Sequence, residues 1–328
     1  MDKKIFKDDR IFVAGATGMA GSAICRSLIK NGYGDINNGG YLFTPSRNEL
    51  NLLNINKVEE WFSVNKPSVV VIAAAKVGGI LANSTMPTEF LLENLKIQTN
   101  IIETSWKKGV RRLLFLGSSC IYPKFAQQPI EEESLLSGEL ESTNQWYAIA
   151  KISGIKLCEA LRKQYNFDAI SLMPTNLYGP GDNYHPQNSH VMASLIKKFY
   201  YASKESLPDV TCWGTGKPYR EFLHVNDLGD AVIFSLENWD PKSENAPLDK
   251  YGNRISLLNI GSGNEISIKD LANKISKLLD YKGNILWDKS KPDGTPRKIL
   301  NCKKINNLGW HSKISIDEGI LQTVTDLY

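Results

Sequence analysis

A short apolar run, Ile11 to Ala14, opens directly onto Gly15-Ala16-Thr17-Gly18-Met19-Ala20-Gly21, and an amphipathic stretch follows to about Lys30. This G-x-x-G-x-x-G, set between a strand and a helix, limits the possible folds more than any other feature of the chain. Only glycine lets main chain turn this tightly and approach a ligand without a Cβ in the way. The helix that follows offers free N–H groups and the positive end of its dipole, which suits a pyrophosphate. Gly15, Thr17, Gly18, Met19 and Gly21 are therefore the candidate cofactor contacts. NAD sites usually place an acid about 20 residues further on, on the ribose hydroxyls. Here the second apolar run, Tyr41 to Thr44, ends in Thr44-Pro45-Ser46-Arg47 with no acid at its tip. Arg47 can instead pair with a 2′-phosphate, so the cofactor expected is NADPH/NADP+.

Strands and helices alternate through the first half. Val69 to Ala75 is β-branched and does not alternate with polar residues, as a strand buried on both faces requires. Phe90 to Lys108 has helical spacing, Leu113 to Leu116 reads as a strand, Trp146 to Tyr165 as a helix and Ala169 to Met173 as a strand. The fold class is α/β: a doubly wound parallel sheet, Rossmann-type, with a second, smaller, discontinuous α/β substrate domain. At about 150 residues per domain, 328 residues make roughly two. The texture changes after Met173, where Pro174 to Ser189 is rich in Pro, Gly, Asn and His. A further helix is expected at Ile268 to Asp280. Phe222 to Leu236 is expected to rejoin the first sheet. The division is then residues 1–175 plus about 219–262 for the dinucleotide, and about 176–218 plus 263–328 for the substrate.

Tyr147 and Lys151 form Y-x-x-x-K and share one helix face. A neighbouring ammonium favours phenolate, so the spacing predicts a tyrosine lowered from about 10 toward neutrality, able to pass a proton to a carbonyl under reduction. Tyr200 and Lys204 fit the same pattern. The first pair is preferred because it follows Leu113-Leu114-Phe115-Leu116-Gly117-Ser118-Ser119-Cys120, a buried strand running out into serines. Ligands of doubly wound sheets bind just beyond such strand ends. Ser118 there can bond a substrate oxygen beside Tyr147. Cys120 lies two residues on, so it points the same way as Ser118 if the strand persists.

The glycine turn, Ser118-Ser119-Cys120-Ile121-Tyr122-Pro123, Tyr147-Ala148-Ile149-Ala150-Lys151 and Asn176-Leu177-Tyr178-Gly179-Pro180 resemble the extended short-chain dehydrogenase/reductase family. Within it, Ala73-Ala74-Ala75-Lys76-Val77-Gly78-Gly79-Ile80, His185-Pro186-Gln187-Asn188-Ser189-His190, Arg220-Glu221-Phe222-Leu223-His224-Val225 and Lys291-Pro292-Asp293-Gly294-Thr295-Pro296-Arg297-Lys298 are similar to the GDP-L-fucose synthases. The resemblance implies 3,5-epimerisation of GDP-4-keto-6-deoxy-D-mannose and NADPH-dependent reduction at carbon 4. It implies Ser118, Tyr147 and Lys151 as the reductase triad, with Lys151 also a cofactor contact, and Cys120 and His190 as the epimerisation base and acid. It also implies Asn176, Lys198, Trp213, Arg220 and Lys298 as contacts of the GDP-sugar, and a homodimer. The sequence departs from the pattern at Thr17 and Lys198, where bacterial members often carry arginine; lysine keeps the charge but loses the bidentate fork. The rival readings are a GDP-4-keto-6-deoxyheptose epimerase/reductase and a non-catalytic NADP(H)-binding sensor.

Composition narrows the remaining classes. The 39 basic and 35 acidic residues leave a net charge of +4, too balanced to indicate a nucleic-acid partner. The longest apolar run is too short to span a bilayer, and Met1 to Arg10 lacks a secretory apolar core. Five scattered cysteines without a C-x-x-C, and four histidines, give no metal-ligand spacing. A reducing cytoplasmic setting is the expectation, with no metal and no membrane.

Overall fold

Apolar runs of four to six residues become parallel strands here because helices cover both of their faces. The computed structural model describes residues 4–185, 189–291 and 293–327. Its first half alternates β1 (Arg10–Ala14), α1 (Met19–Lys30), β2 (Tyr41–Phe43), α2 (Ile55–Asn65), β3 (Val69–Ile72), α3 (Ile80–Thr85), α4 (Pro87–Lys107), β4 (Arg112–Leu116), α5 (Gln145–Tyr165) and β5 (Ala169–Pro174). There follow β6 (Asn176–Tyr178), α6 (Val191–Lys204), β7 (Asp209–Trp213), β8 (Tyr219–His224), α7 (Val225–Asn238) and β9 (Leu257–Ile260). The chain closes with β10 (Glu265–Ser267), α8 (Ile268–Leu278), β11 (Asn284–Asp288), β12 (Arg297–Lys298), α9 (Lys303–Leu308) and α10 (Ile316–Val324). Pro186, Gln187, Asn188 and Pro292 of the quoted motifs lie outside the described residues. Among the described residues no helix is long and apolar enough to cross a membrane.

Six parallel strands form the principal sheet in the order β2-β1-β3-β4-β5-β9. Val13 stands opposite Val71, Val71 opposite Leu114 and Leu114 opposite Ile170, so β-branched and leucine side chains stack across the middle. All four residues of β3 and all five of β4 are buried. The order of strands reverses between β1 and β3, which opens a crevice at their carboxyl ends.

A second apolar cluster, including Tyr178, Ile196, Phe199, Leu271, Ile275 and Ile320, gathers around α6, α8 and α10. Side-chain caps set two of these helices in place. The Ser267 hydroxyl accepts the Asp270 N–H at 3.0 Å, and Ser315 and Glu318 form a reciprocal capping box.

The stretch from Phe222 to Leu236 does not add a strand to the principal sheet. β8 pairs instead with β6, β10 and β12, and α7 and β9 make the return. Residue alternation explains this: Phe222 points into the second cluster and Leu223 into the first, so β8 is a seam between two cores. α7 then packs against α1, and buried Arg112 on β4 donates to the Trp239 carbonyl at 2.5 Å, just past the end of α7.

Candidate active site

A cavity of about 870 Å³ lies over the carboxyl ends of β1, β3, β4 and β5 and runs on to α6 and β7. The glycine turn forms its floor. Gly15 has φ +83°, and a Cβ there would sit 2.7 Å from the Ala74 main chain across the crevice. A Cβ on Gly21 would sit 2.0 Å from the Gly15 carbonyl oxygen. Both are therefore required by protein packing. Gly18 is different: its Cβ would meet nothing closer than 3.5 Å, and as the residue before α1 it supplies no side-chain cap. Among the described residues no side chain caps α1 and no acid stands in its first turn, and Gly18, Met19 and Ala20 line the cavity. This fits a pyrophosphate. Glu49, the acid nearest the end of β2, accepts the Ser46 N–H at 2.7 Å and so is engaged in its own turn. Arg47 lines the cavity and is exposed.

Behind the next wall lies Lys151, only 3% exposed. Its ammonium donates to the Leu116 carbonyl at 2.8 Å and stands 5.8 Å from the Tyr147 ring centre. Burial pulls Lys151 down to about 7. Tyr147 departs from its sequence expectation: its phenol is raised, first by burial and then by the Cys120 sulfur, with the Ser118 hydrogen bond opposing. The ammonium serves a carbonyl rather than the phenol, and a dry pocket penalises phenolate more than a distant cation favours it. The Tyr147 phenol is consequently held neutral.

The strand geometry expected to carry Cys120 beside Ser118 is also not kept. β4 ends at Leu116, and Ser119–Ile121 makes one 3-10 turn that Ser118 caps by accepting the Cys120 N–H at 3.2 Å. A turn of three residues replaces a repeat of two, so Cys120 reaches the cavity by another route. There its sulfur lies 3.9 Å from the Lys298 ammonium. Lys298 stands opposite Arg220 in the parallel β12–β8 pair. Burial lowers Arg220, with Asp293 and Cys120 opposing. His190 precedes α6, and its ring opens onto the cavity. The enclosing walls lower its imidazole, and Lys298 lowers it further.

At the far end the Trp213 ring is 51% exposed, between the Lys198 ammonium at 5.6 Å and the Lys291 ammonium at 5.4 Å from its centre. Lys198 donates to the Thr211 carbonyl at 2.7 Å. Asn176 donates to the Glu221 carbonyl at 2.7 Å. An aromatic platform flanked by cations suits a nucleotide carrying a diphosphate.

The cavity wall thus gathers every residue singled out in the sequence except Lys151, which supports it from behind. The rival pair, Tyr200 and Lys204, is elsewhere: Tyr200 is buried in the second cluster. Sequence reasoning missed Asp293, whose carboxylate accepts the Thr215 N–H and hydroxyl, each at 2.7 Å. It lies inside a quoted motif, and only its bonds to Thr215, far away in sequence, give it a task. Asn83, Thr143 and Asn144 also line the cavity and carry no sequence pattern that marks them.

The model of the family described as "NAD dependent epimerase/dehydratase family" matches residues 11–247. A rice protein (Oryza sativa subsp. japonica) named "Probable GDP-L-fucose synthase 1" is 50% identical over 318 residues, which is 97% of this chain and 91% of its own. A Campylobacter jejuni structure described as a GDP-6-OMe-4-keto-L-xylo-heptose reductase superposes with a TM-score of 0.89 at 32% identity, covering 99% of this chain and 98% of its own. A GDP-L-fucose synthetase from Naegleria fowleri, solved bound to NADP, superposes with a TM-score of 0.84 at 25% identity over 99% and 96% of the two chains.

Proposed function

The chain belongs to the NAD dependent epimerase/dehydratase family, and we infer that it is an NADPH-dependent enzyme converting GDP-4-keto-6-deoxy-D-mannose to GDP-L-fucose. The observation that carries this reading is one cavity holding a glycine-turn cofactor floor, the Ser118–Tyr147 pair and the Cys120–His190 pair together. The 50% identical rice relative, named for the same synthesis, supports it.

The cofactor, when bound, supplies the hydride for carbon 4. Gly15, Thr17, Gly18, Met19, Gly21 and Arg47 would hold it, with Arg47 at the 2′-phosphate. The carbonyl at carbon 4 acidifies the protons on carbons 3 and 5. Cys120 removes a proton from one face, and His190 returns one on the other. A thiol and an imidazole both exchange protons near neutral pH. Tyr147, protonated and bonded to Ser118, gives its proton to the carbon-4 oxygen. Lys151 fixes the Leu116 carbonyl beneath that pair. Lys198, Arg220, Lys298 and Trp213 take the GDP, and Asn176 orders the sugar end. The substrate portion is residues about 176–218 plus 263–328.

A cytoplasmic homodimer belongs to the same reading. Leu92 on α4 and Trp146, Ile149 and Tyr165 on α5 are exposed apolar side chains suited to bury against a second copy.

The test is NMR and mass spectrometry of the product from GDP-4-keto-6-deoxy-D-mannose and NADPH in heavy water. GDP-L-fucose with deuterium at carbons 3 and 5 is the expected product. A folded, NADPH-binding protein that leaves this substrate unchanged overturns the reading. The competing substrate is a GDP-4-keto-6-deoxyheptose, a reading favoured by the Campylobacter structure described as a reductase of a GDP-4-keto-heptose, and a higher kcat/KM for it would replace the hexose.

A further inference from the structure

Lys298, assigned above to the diphosphate, also stands beside the Cys120 sulfur. Among the described residues, the partner within hydrogen-bonding range of its ammonium is the Cys120 sulfur, at 3.9 Å. Its position is built rather than incidental. β12 is only two residues long, yet its continuation is pinned on two sides. The Ile299 N–H donates to Gln128 Oε1 at 2.9 Å, and the Leu300 N–H donates to Glu221 Oε2 at 3.0 Å. Glu221 is fully buried and also accepts the Gly263 N–H at 2.7 Å. Its main-chain oxygen accepts from Asn176 and Thr175. One buried glutamate, through its carboxylate and its main-chain oxygen, therefore ties the strand that carries Lys298 to Gly263, Thr175 and Asn176.

We propose that Lys298 is a positioning residue for the epimerisation step: its ammonium stabilises the Cys120 sulfur as the anion that takes the substrate proton. This rests on the reading of Cys120 as the base. A cation within about 4–6 Å favours the charged form of an acid by one to three pH units. Among the described residues, the charged and titratable groups that act on the sulfur are Lys298 from β12, Arg220 from β8 and Tyr147 from α5; Ser118 bonds the Cys120 main-chain N–H instead. Arg220 is shared with Asp293 and donates to the Tyr219 carbonyl. His190, which opens on the same cavity, is lowered first by burial and then by this ammonium.

The experiment compares wild type, Lys298→Met, Lys298→Gln, Lys298→Arg and Cys120→Ser, each saturated with NADPH and checked for folding by circular dichroism. Alkylation of Cys120 by iodoacetamide is followed by peptide mass spectrometry without substrate. Deuterium exchange at carbons 3 and 5 is followed against pH with substrate. The neutral variants should alkylate about tenfold more slowly at pH 7, and exchange should lose rate on the acid side of its profile. Arginine should restore most of both. Wild-type alkylation in folded Lys298→Met or Lys298→Gln, with only a raised KM for the GDP-sugar, overturns the proposal and leaves Lys298 to the diphosphate. Should both neutral variants fail to fold, Lys298→Arg decides alone: a wild-type exchange profile supports the proposal, and a lost acid limb with unchanged alkylation overturns it. Exchange at the wild-type rate in Cys120→Ser would instead remove Cys120 as the base, a failure of the underlying reading distinct from that of Lys298.

Discussion

The Lys151 ammonium donates to the Leu116 main-chain oxygen at 2.8 Å. That bond places the cation under the strand end from which Ser118 emerges, not against the phenol four residues before it. A helical i, i+4 spacing fixes a shared face but not the partner. The consequence is a buried lysine held down near 7 beside a tyrosine held up as a neutral acid.

This arrangement has a signature in stability. Below about pH 7 both folded and unfolded chains keep the Lys151 proton, and the fold bears the full cost of a buried ammonium. Between there and the ordinary lysine value of about 10.4, the unfolded chain binds more protons, so stability contributed by this site rises with pH. Lys151→Met should therefore stabilise the fold by about 2–5 kcal/mol at pH 6, with the gain shrinking toward pH 10. Thermal midpoints across pH, without added cofactor, measure it. A gain independent of pH would contradict the assignment.

Tyr147→Phe removes the donor of the final proton but leaves Cys120 and His190 in place. Reduction should fall by about 10²–10⁴-fold, while deuterium exchange at carbons 3 and 5 stays within a few-fold of wild type. Equal loss of both activities would show that Tyr147 takes part in epimerisation as well.

Arg47→Ala should raise the KM for NADPH by about tenfold or more and leave that for NADH nearly unchanged, because a charge-assisted bond to the 2′-phosphate is lost. Initial rates at 340 nm with each cofactor decide it. Parallel changes would place Arg47 away from that phosphate.

Gly21→Ala places a methyl group 2.0 Å from the Gly15 oxygen, which is main chain and has little freedom to yield. The fold should lose about 1–3 kcal/mol and NADPH binding should weaken strongly. Calorimetry and a fluorescence titration test this. Gly18→Ala, with 3.5 Å of clearance, should cost far less stability and act chiefly on cofactor binding.

Much of this architecture could be read from residue order. β1, the glycine turn and α1 followed from a strand run meeting G-x-x-G-x-x-G. The buried character of β3 followed from four β-branched residues in a row. These are local patterns, and local sterics and burial decide them. Tyr147 was separated from Tyr200 by the strand end preceding it. The second portion was less legible: β8 divides its side chains between two cores, so no single apolar face marks it.

The sequence by itself determined the glycine floor, the cation at the tip of β2 and the set of residue types available for proton transfer, because each is written in adjacent positions. Tertiary structure alone decided how they are charged and paired. Lys298 comes to Cys120 across 178 positions, and Leu116 receives Lys151 across 35. Burial, which belongs to no single residue, then reverses the expected direction for Tyr147. Proton affinity depends on the dielectric and the partners around a group, and both exist only once distant segments have packed.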